Sequence, residues 1–398
     1  MTAPVRLLHT ADWQLGRRYG QFPKETAAIL ADARFSTVAA INALAREKSV
    51  DAVLVAGDVF DSNQLSDADI LRGFTLICEC PCPIVLLPGN HDADVPGGVW
   101  DRITRERDVP AHVHIIRAGR ADALVLLGGR LAILAAALGQ VRAEVEHLSL
   151  FASQRAAQAL EANCAVIGLA HGSLMGKLPA GAELSNVIPA ELAQLANLDY
   201  LALGDWHGLL IIDGKTCYSG TPEPDRFRNN LKGQVLIVEL ESASSAIRAP
   251  LISAANVAQF DWLELQLNAI TSDSPASLVA KIFAAITGQL GGASPEKLRQ
   301  LVLRLKLSGT LSLQARFELA RMLEELRATV RLLIYRDDSL RTAPEPAGLD
   351  ALEAQFANAS YAQNVARTLH QELADPDTAI SSRATDALQR LLQLRQQA

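Results

Sequence analysis

Several absences narrow what the chain does before any motif is read. No apolar run in its 398 residues reaches membrane-spanning length, and the opening MTAPVRLLHTADW lacks the basic, apolar and small-residue order of a signal peptide. The expectation is a cytoplasmic protein without membrane contact. Five cysteines, an odd number, do not make a disulfide framework. Three of them, Cys78, Cys80 and Cys82 in CECPCP, are parted by single residues where zinc pairs leave at least two. Reduced thiols at a helix end are expected there, not a metal cluster. Basic residues are not in excess either: 37 Lys and Arg stand against 44 Asp and Glu, a formal charge of −7. A chain so balanced needs a local patch or a partner to hold a polyanion.

What is present is ordinary globular material, with 49% apolar and 20% charged residues, in a chain too long for one compact core. Over residues 1–245, VRLLHTAD, AVLVAGDVFD, PIVLLPGNHD, LAILAAAL, CAVIGLAHG and DYLALGDWHG read as strands that end in polar residues or glycine. Helical segments such as TAAILADARFSTVAAINALAREK lie between them, and that alternation predicts an α/β layered domain. ESASSAIRAP reads as a linker. Residues 256–342 then run strand, helix, strand, helix, strand, a small α+β accessory domain. The tail, 348–398, holds two amphipathic helical segments parted by ADPD, whose apolar stripes fit a partner surface or the same chain equally well.

The chemistry sits just past the strand ends, the edge where α/β sheets collect ligands. Asp12 with Gln14, Asp58, Asn90 with His91, His171, and Asp205 with His207 follow five strands in order. Singly each is modest: GD caps many helices, and a lone His at a strand end is most often structural. Together they offer enough oxygen and nitrogen donors for two divalent ions. Two dications held close need a bridging carboxylate, and Asp58 is the candidate.

HTADWQLG, GDVFD, LPGNHD, LAHGS and ALGDWHG resemble the five blocks of the calcineurin-like metallophosphoesterases. Block spacing, the closing YSGTPEPDRF and the second domain narrow the resemblance to the SbcD-type DNA-repair exonucleases. The resemblance implies a four-layer β-sandwich core flanked by helices, and two metals, usually manganese with magnesium as an alternative. Carried over position by position, it puts one ion on Asp12, Gln14, Asp58 and His207, and the other on Asp58, Asn90, His171 and Asp205. His91 matches the catalytic histidine beside the scissile phosphate, with Asp92 orienting its ring. The family usually has histidine where this chain has Gln14 and Asp205. Glutamine is a weaker, neutral donor that loosens the first site, and Asp205 moves the second toward harder ions.

Arg17, Arg18, Arg226 and Arg228 are candidates for phosphate contacts, with plain surface arginines as the alternative. Asp61 stands where many relatives carry a histidine near the phosphate. His9 is expected to be structural, behind the site. His112, His114, His147 and His370 belong to no block, and packing is expected for Trp13 and Trp206. Three functions follow. One is a nuclease subunit acting on DNA beside an SMC-like ATPase of the SbcC type, as a homodimer. The others are a phosphodiesterase for small esters or nucleotides, and a non-catalytic scaffold with a degenerate site.

Overall fold

Strand formation in VRLLHT follows from a run of large apolar residues that bury on both faces, and β1 (Val5–Thr10) is accordingly central to its sheet. The computed structural model describes residues 4–142, 145–158, 160–161, 163–179, 184–227, 232–241, 249–269, 274–343 and 360–373, with 375, 377, 380, 383, 384 and 387. It divides into two units, Met1–Asp261 and Trp262–Ala398.

In the first unit the chain proceeds through β1, α1 (Lys24–Glu47), β2 (Ala52–Val55), α2 (Asp67–Cys78), β3 (Ile84–Leu86), α3 (Val99–Glu106) and β4 (Val113–Ile115). It continues through β5 (Leu124–Leu126), β6 (Leu131–Ala136), α4 (His147–Ala156), β7 (Ala165–His171), α5 (Leu192–Leu195) and β8 (Tyr200–Gly204). β9 (Leu210–Ile211), β10 (Thr216–Tyr218), β11 (Gln234–Leu240) and β12 (Leu251–Asn256) complete it. Two six-stranded sheets result, ordered β12-β11-β1-β2-β3-β4 and β5-β6-β7-β8-β10-β9. β1 to β4 are parallel, as are β6, β7 and β8.

The layers follow from which residues pack together. Leu7, Leu54 and Val85 of one sheet share a cluster with Ile133, Ile167 and Ala202 of the other, so the sheets face one another. Phe35, Ile41, Phe74 and Trp100 place the first three helices on the outer face of the first sheet. Phe151 and Leu192 do the same for the second. A sandwich of two sheets between helical layers is the α/β architecture that the strand pattern predicts. Each fully buried Leu or Ile contributes about 1.5–3 kcal/mol of transfer free energy to it.

α1 departs from expectation in one respect. By length and composition it passes for a membrane span, although its sequence shows no unbroken apolar run. In the fold it buries Leu30, Phe35, Val38 and Ile41, together with Arg34, Thr37 and Asn42, as a core helix does. All five cysteines are free, and Cys80 and Cys82 lie just past α2.

In the second unit, β13 (Asp261–Ala269), β14 (Leu301–Ser312) and β15 (Leu332–Ala343) form one sheet. α6 (Pro275–Leu290) is capped by Ser274 and α8 (Leu313–Thr329) by Ser312, with α7 (Pro295–Arg299) between them. Leu278, Ile282, Leu303, Leu305, Leu319 and Leu323 form their own core. In the tail, α9 spans Ser360–Leu373. Most of the second predicted tail segment lies outside the described residues.

Candidate metal centre

Parallel pairing aligns the C-terminal ends of β1, β2 and β3 in one sheet and of β7 and β8 in the other, with His171 in register with Gly204. Backbone bonds then knit the loops beyond them. Asp12 N donates to Gly57 O at 3.0 Å and Gln14 N to Asp58 O at 2.8 Å. Asp205 N donates to Asp12 Oδ1 at 3.1 Å, which links the two sheets. Asp12, Gln14, Asp58 and Asp205 hold φ of 54°, 43°, 53° and 94°, conformations that cost L residues of order 1–3 kcal/mol each. Such strain persists because neighbours over-determine it. A Cβ on Gly57 would lie 2.0 Å from His171 Nδ1, and one on Gly89 would lie 2.2 Å from Asp58 Oδ1.

Asp12, Asp58 and His171 are buried and bring one ligand atom each to within 4.8 Å of the others. His171 Nδ1 faces Ala56 O at 2.8 Å, and because a carbonyl only accepts, that nitrogen carries the hydrogen. Its Nε2 faces Asn90 Oδ1 at 2.9 Å, Asp58 Oδ1 at 3.4 Å and Asp205 Oδ1 at 3.9 Å. A lone pair aimed at oxygens calls for a cation among them. Burial lowers the His171 pKa, yet Asp58, Asp12 and Asp205 together raise it well above the ordinary value, so a proton answers that call when no ion does.

Asp12 Oδ2 is buried with no hydrogen-bond partner among the described residues, and burial lifts its carboxyl to about 6 against the pull of His207 and His171. Burial also raises Asp58, but His171 and His91 outweigh it and leave Asp58 at about 2. An orphaned carboxylate oxygen, an ionised carboxylate, an imidazole and an amide oxygen are a donor set that fits a divalent ion, and mixed oxygen and nitrogen ligation suits Mn²⁺.

Asp205 sits at the rim of this group. Its carboxylate accepts from Ser185 Oγ at 2.9 Å and Ser173 Oγ at 3.1 Å, which hold it toward the second sheet.

The remaining predicted ligands form a different arrangement. Arg17 Nη1 donates to Gln14 Oε1, so the amide oxygen expected to ligate is turned to a guanidinium. Gln14 Nε2 faces His207 Nε2 at 3.4 Å. His207 Nδ1 lies 3.2 Å from Asp225 Oδ2, and Arg17 Nη1 lies 3.1 Å from the same oxygen. The four side chains close a ring.

His91 stands at the exposed mouth. Its Nδ1 donates to Asp61 O at 2.9 Å, its backbone N to Asp58 Oδ1 at 2.9 Å, and its Nε2 lies 3.9 Å from Asp58 Oδ2. Burial lowers its pKa, and Asp58 and Asp61 outweigh that and raise it. Asp92 does not orient this ring, a correction to the expected role. Its two oxygens accept from Gly89 N at 2.7 Å and Phe60 N at 3.1 Å, so it pins the loops that carry His91 and Asp58. Burial and Asp58 lift its carboxyl to about 7.

Arg226 Nε pairs with Asp225 Oδ1 at 3.1 Å, Arg18 is exposed, and Arg228 lies outside the described residues. Asp61 Oδ1 lies 4.0 Å from Arg17 Nη1. His9 is buried with Nδ1 2.8 Å from the Tyr200 hydroxyl. Trp13 is buried and donates to Thr10 Oγ1, and Trp206 packs against the second sheet's outer core.

Sequence reasoning missed Asp225 and Arg34. Buried Arg34 donates to Trp13 O at 2.7 Å and lies 3.8 Å from Asp225 Oδ2, bracing the first loop from behind. Nothing in the spacing of YSGTPEPDRF marks its aspartate as a fixed acceptor. Only the fold brings Arg17, Arg34 and His207 to it.

The calcineurin-like phosphoesterase family matches residues 5–140, the segment that carries the first three strand-end groups. That match and the similarity to SbcD components support the calcineurin-like metallophosphoesterase superfamily and its SbcD-type branch. The SbcD component of the SbcCD nuclease from Rhodobacter capsulatus is 31% identical over 264 residues, covering 55% of this chain and 62% of that protein. Its Escherichia coli namesake is 36% identical over 93 residues, 22% of each chain. "Uncharacterized metallophosphoesterase YhaO" of Bacillus subtilis is 27% identical over 217 residues, 52% of this chain and 50% of that one. The chain thus matches less than two thirds of the length of each of these relatives.

Proposed function

We propose that this metallophosphoesterase hydrolyses DNA phosphodiester bonds as the nuclease subunit of a cytoplasmic repair complex. The observation that carries the chemistry is the convergence of Asp12, Asp58 and His171 beside an exposed His91. The DNA substrate rests on the relatives named as components of a nuclease. Asp12, Asp58, Asn90 and His171 would hold a divalent ion, manganese or magnesium, which would act as a Lewis acid toward a phosphoryl oxygen and acidify water at neutral pH.

The side chains have separable tasks. Asp58 Oδ1 accepts from the His91 backbone N, which fixes the loop that carries His91 against this carboxylate before substrate arrives. Donation from Nδ1 to Asp61 O leaves Nε2 facing the mouth, where it donates a proton to the leaving oxygen or stabilises its charge. Arg18 and Arg226 line up with backbone phosphates, and Asp61 sets the His91 ring. With a net charge of −7, the chain takes part of its DNA affinity from a partner, an SMC-like ATPase of the SbcC type that grips the tail helices of a homodimer.

One observation favours a second reading, a scaffold subunit without turnover: the Gln14 amide oxygen is taken by Arg17. Small esters and nucleotides are the remaining substrates to separate. Manganese-dependent activity is measured on an aryl phosphodiester and on linear duplex and single-stranded DNA, with His91→Ala beside the native chain. DNA cleavage that falls about 10²- to 10⁴-fold in the variant supports the nuclease. Activity on the ester alone overturns the DNA assignment, and inactivity with every divalent ion supports the scaffold.

A further inference from the structure

Resting on the metal-dependent reading above, we infer that the site holds one divalent ion, not the two that its ligand count suggests, with the Arg17 guanidinium standing beside the position expected for the other.

That other position would need Gln14 Oε1 and His207 Nε2 as ligands beside Asp12 and the bridging Asp58, and Asp12 is gathered with Asp58 and His171 instead. The Gln14 and His207 donors are already used. Gln14 Oε1 accepts from Arg17 Nη1, and the amide orientation is forced, because the alternative would set an NH₂ against a guanidinium. The amide nitrogen therefore faces His207 Nε2 at 3.4 Å and offers it a hydrogen. On the far side of that ring, Nδ1 is held 3.2 Å from Asp225 Oδ2, which keeps the hydrogen on Nδ1 and the lone pair on Nε2. Asp225 closes the circuit by pairing with Arg17 at 3.1 Å. A lone pair that a metal would take is satisfied by glutamine.

Charge reinforces the geometry. Arg17 sits against the oxygen that would have to ligate, so a second dication would meet a fixed cation across one amide. Asp225 cannot release that cation cheaply, since its partners Arg34 and His207 are buried with it. The Asp12, Asp58, Asn90 and His171 position has the opposite character: among the described residues, a carboxylate oxygen without a hydrogen-bond partner, and an imidazole nitrogen facing oxygens of Asn90 and Asp58. Gln14 is the pivot. Its amide has a donor and an acceptor end, and so joins an arginine to a histidine, which an imidazole facing the same arginine would not do while also ligating.

The test is stoichiometry. The full chain is stripped with chelator, loaded with excess MnCl₂, desalted, and measured by elemental analysis and electron paramagnetic resonance. About one manganese per chain with an uncoupled six-line spectrum is expected. Two per chain with an exchange-coupled spectrum would overturn the inference and leave metal-dependent chemistry standing, whereas none would overturn both. In a Gln14→His, Arg17→Ala double variant, checked for folding by circular dichroism, the count should rise to about two. A folded double variant that stays at one shows that the ring does not exclude the second ion, and the argument from Gln14 and Arg17 fails.

Discussion

Asp225 Oδ2 stands 3.2 Å from His207 Nδ1, and the same oxygen lies 3.1 Å from Arg17 Nη1 and 3.8 Å from Arg34 Nη2. One buried carboxylate thus fixes a ring nitrogen at the candidate site and neutralises an arginine in the core. Burial raises its pKa, but His207, Arg34 and Arg17 outweigh that and hold it well below the usual carboxylate range.

Removing this hub leaves the Arg34 charge buried and uncompensated. Asp225→Ala is expected to cost about 3–5 kcal/mol of folding stability, the usual cost of breaking a buried ion pair from one side. Urea denaturation checks this. A shift below about 1 kcal/mol would mean that Arg34 finds another acceptor.

Gly57 lies against the imidazole of His171, with φ of 95° and room for no Cβ. Gly57→Ala should therefore displace His171 and lower manganese affinity at least tenfold, alongside a loss of stability. Gly97, at φ of 73° with nothing within 4 Å of its own Cβ position, is the control. There the substitution costs about 1 kcal/mol from backbone strain alone and leaves affinity unchanged. Calorimetric titration of both variants separates crowding from strain.

Asp92 accepts from Gly89 N and Phe60 N, both buried. Asp92→Ala strands the two N–H groups, at about 1–3 kcal/mol each. Because the carboxylate does not touch the His91 ring, the pH profile of any hydrolysis should keep its shape while stability falls. A profile displaced by a full pH unit, with stability intact, would restore Asp92 to the orienting role.

Legibility of the sequence varied with the range of the interaction. Strand ends are local: apolar runs that stop at Asp12, Asp58, Asn90, His171 and Asp205 could be read directly, because a buried strand leaves its polar residues only at its tip. The strand and helix rhythm read over 256–342 is equally local, since it follows apolar periodicity, and Ser274 and Ser312 cap two of its helices. The strands β4, β5, β9 and β10 are two or three residues long, too short for periodicity to mark. β12 hid for another reason: Leu251–Asn256 is mostly exposed and gains its order from pairing with β11. Side-chain partners were the least legible. Asp92 beside His91 in sequence suggested an orienting pair, but the turn points the carboxylate at backbone amides and hands the ring to Asp61 O.

Metal should also stabilise the fold, because burial raises the Asp12 carboxyl to about 6 and an ion would offset that penalty. At manganese 100-fold above its dissociation constant, the gain is about 2.7 kcal/mol relative to chelator. Thermal melts in EDTA and in MnCl₂ read it as a rise in Tm. Asp12→Asn should abolish the difference, and a variant that keeps it would place the ion elsewhere.

The central claim is that loops from two sheets converge on a divalent ion. Anomalous diffraction at the manganese edge from crystals soaked in MnCl₂ tests it most directly. A peak within ligand distance of Asp12, Asp58, Asn90 and His171 is the predicted result. Difference density without a peak among those four side chains, at full soak, would contradict it.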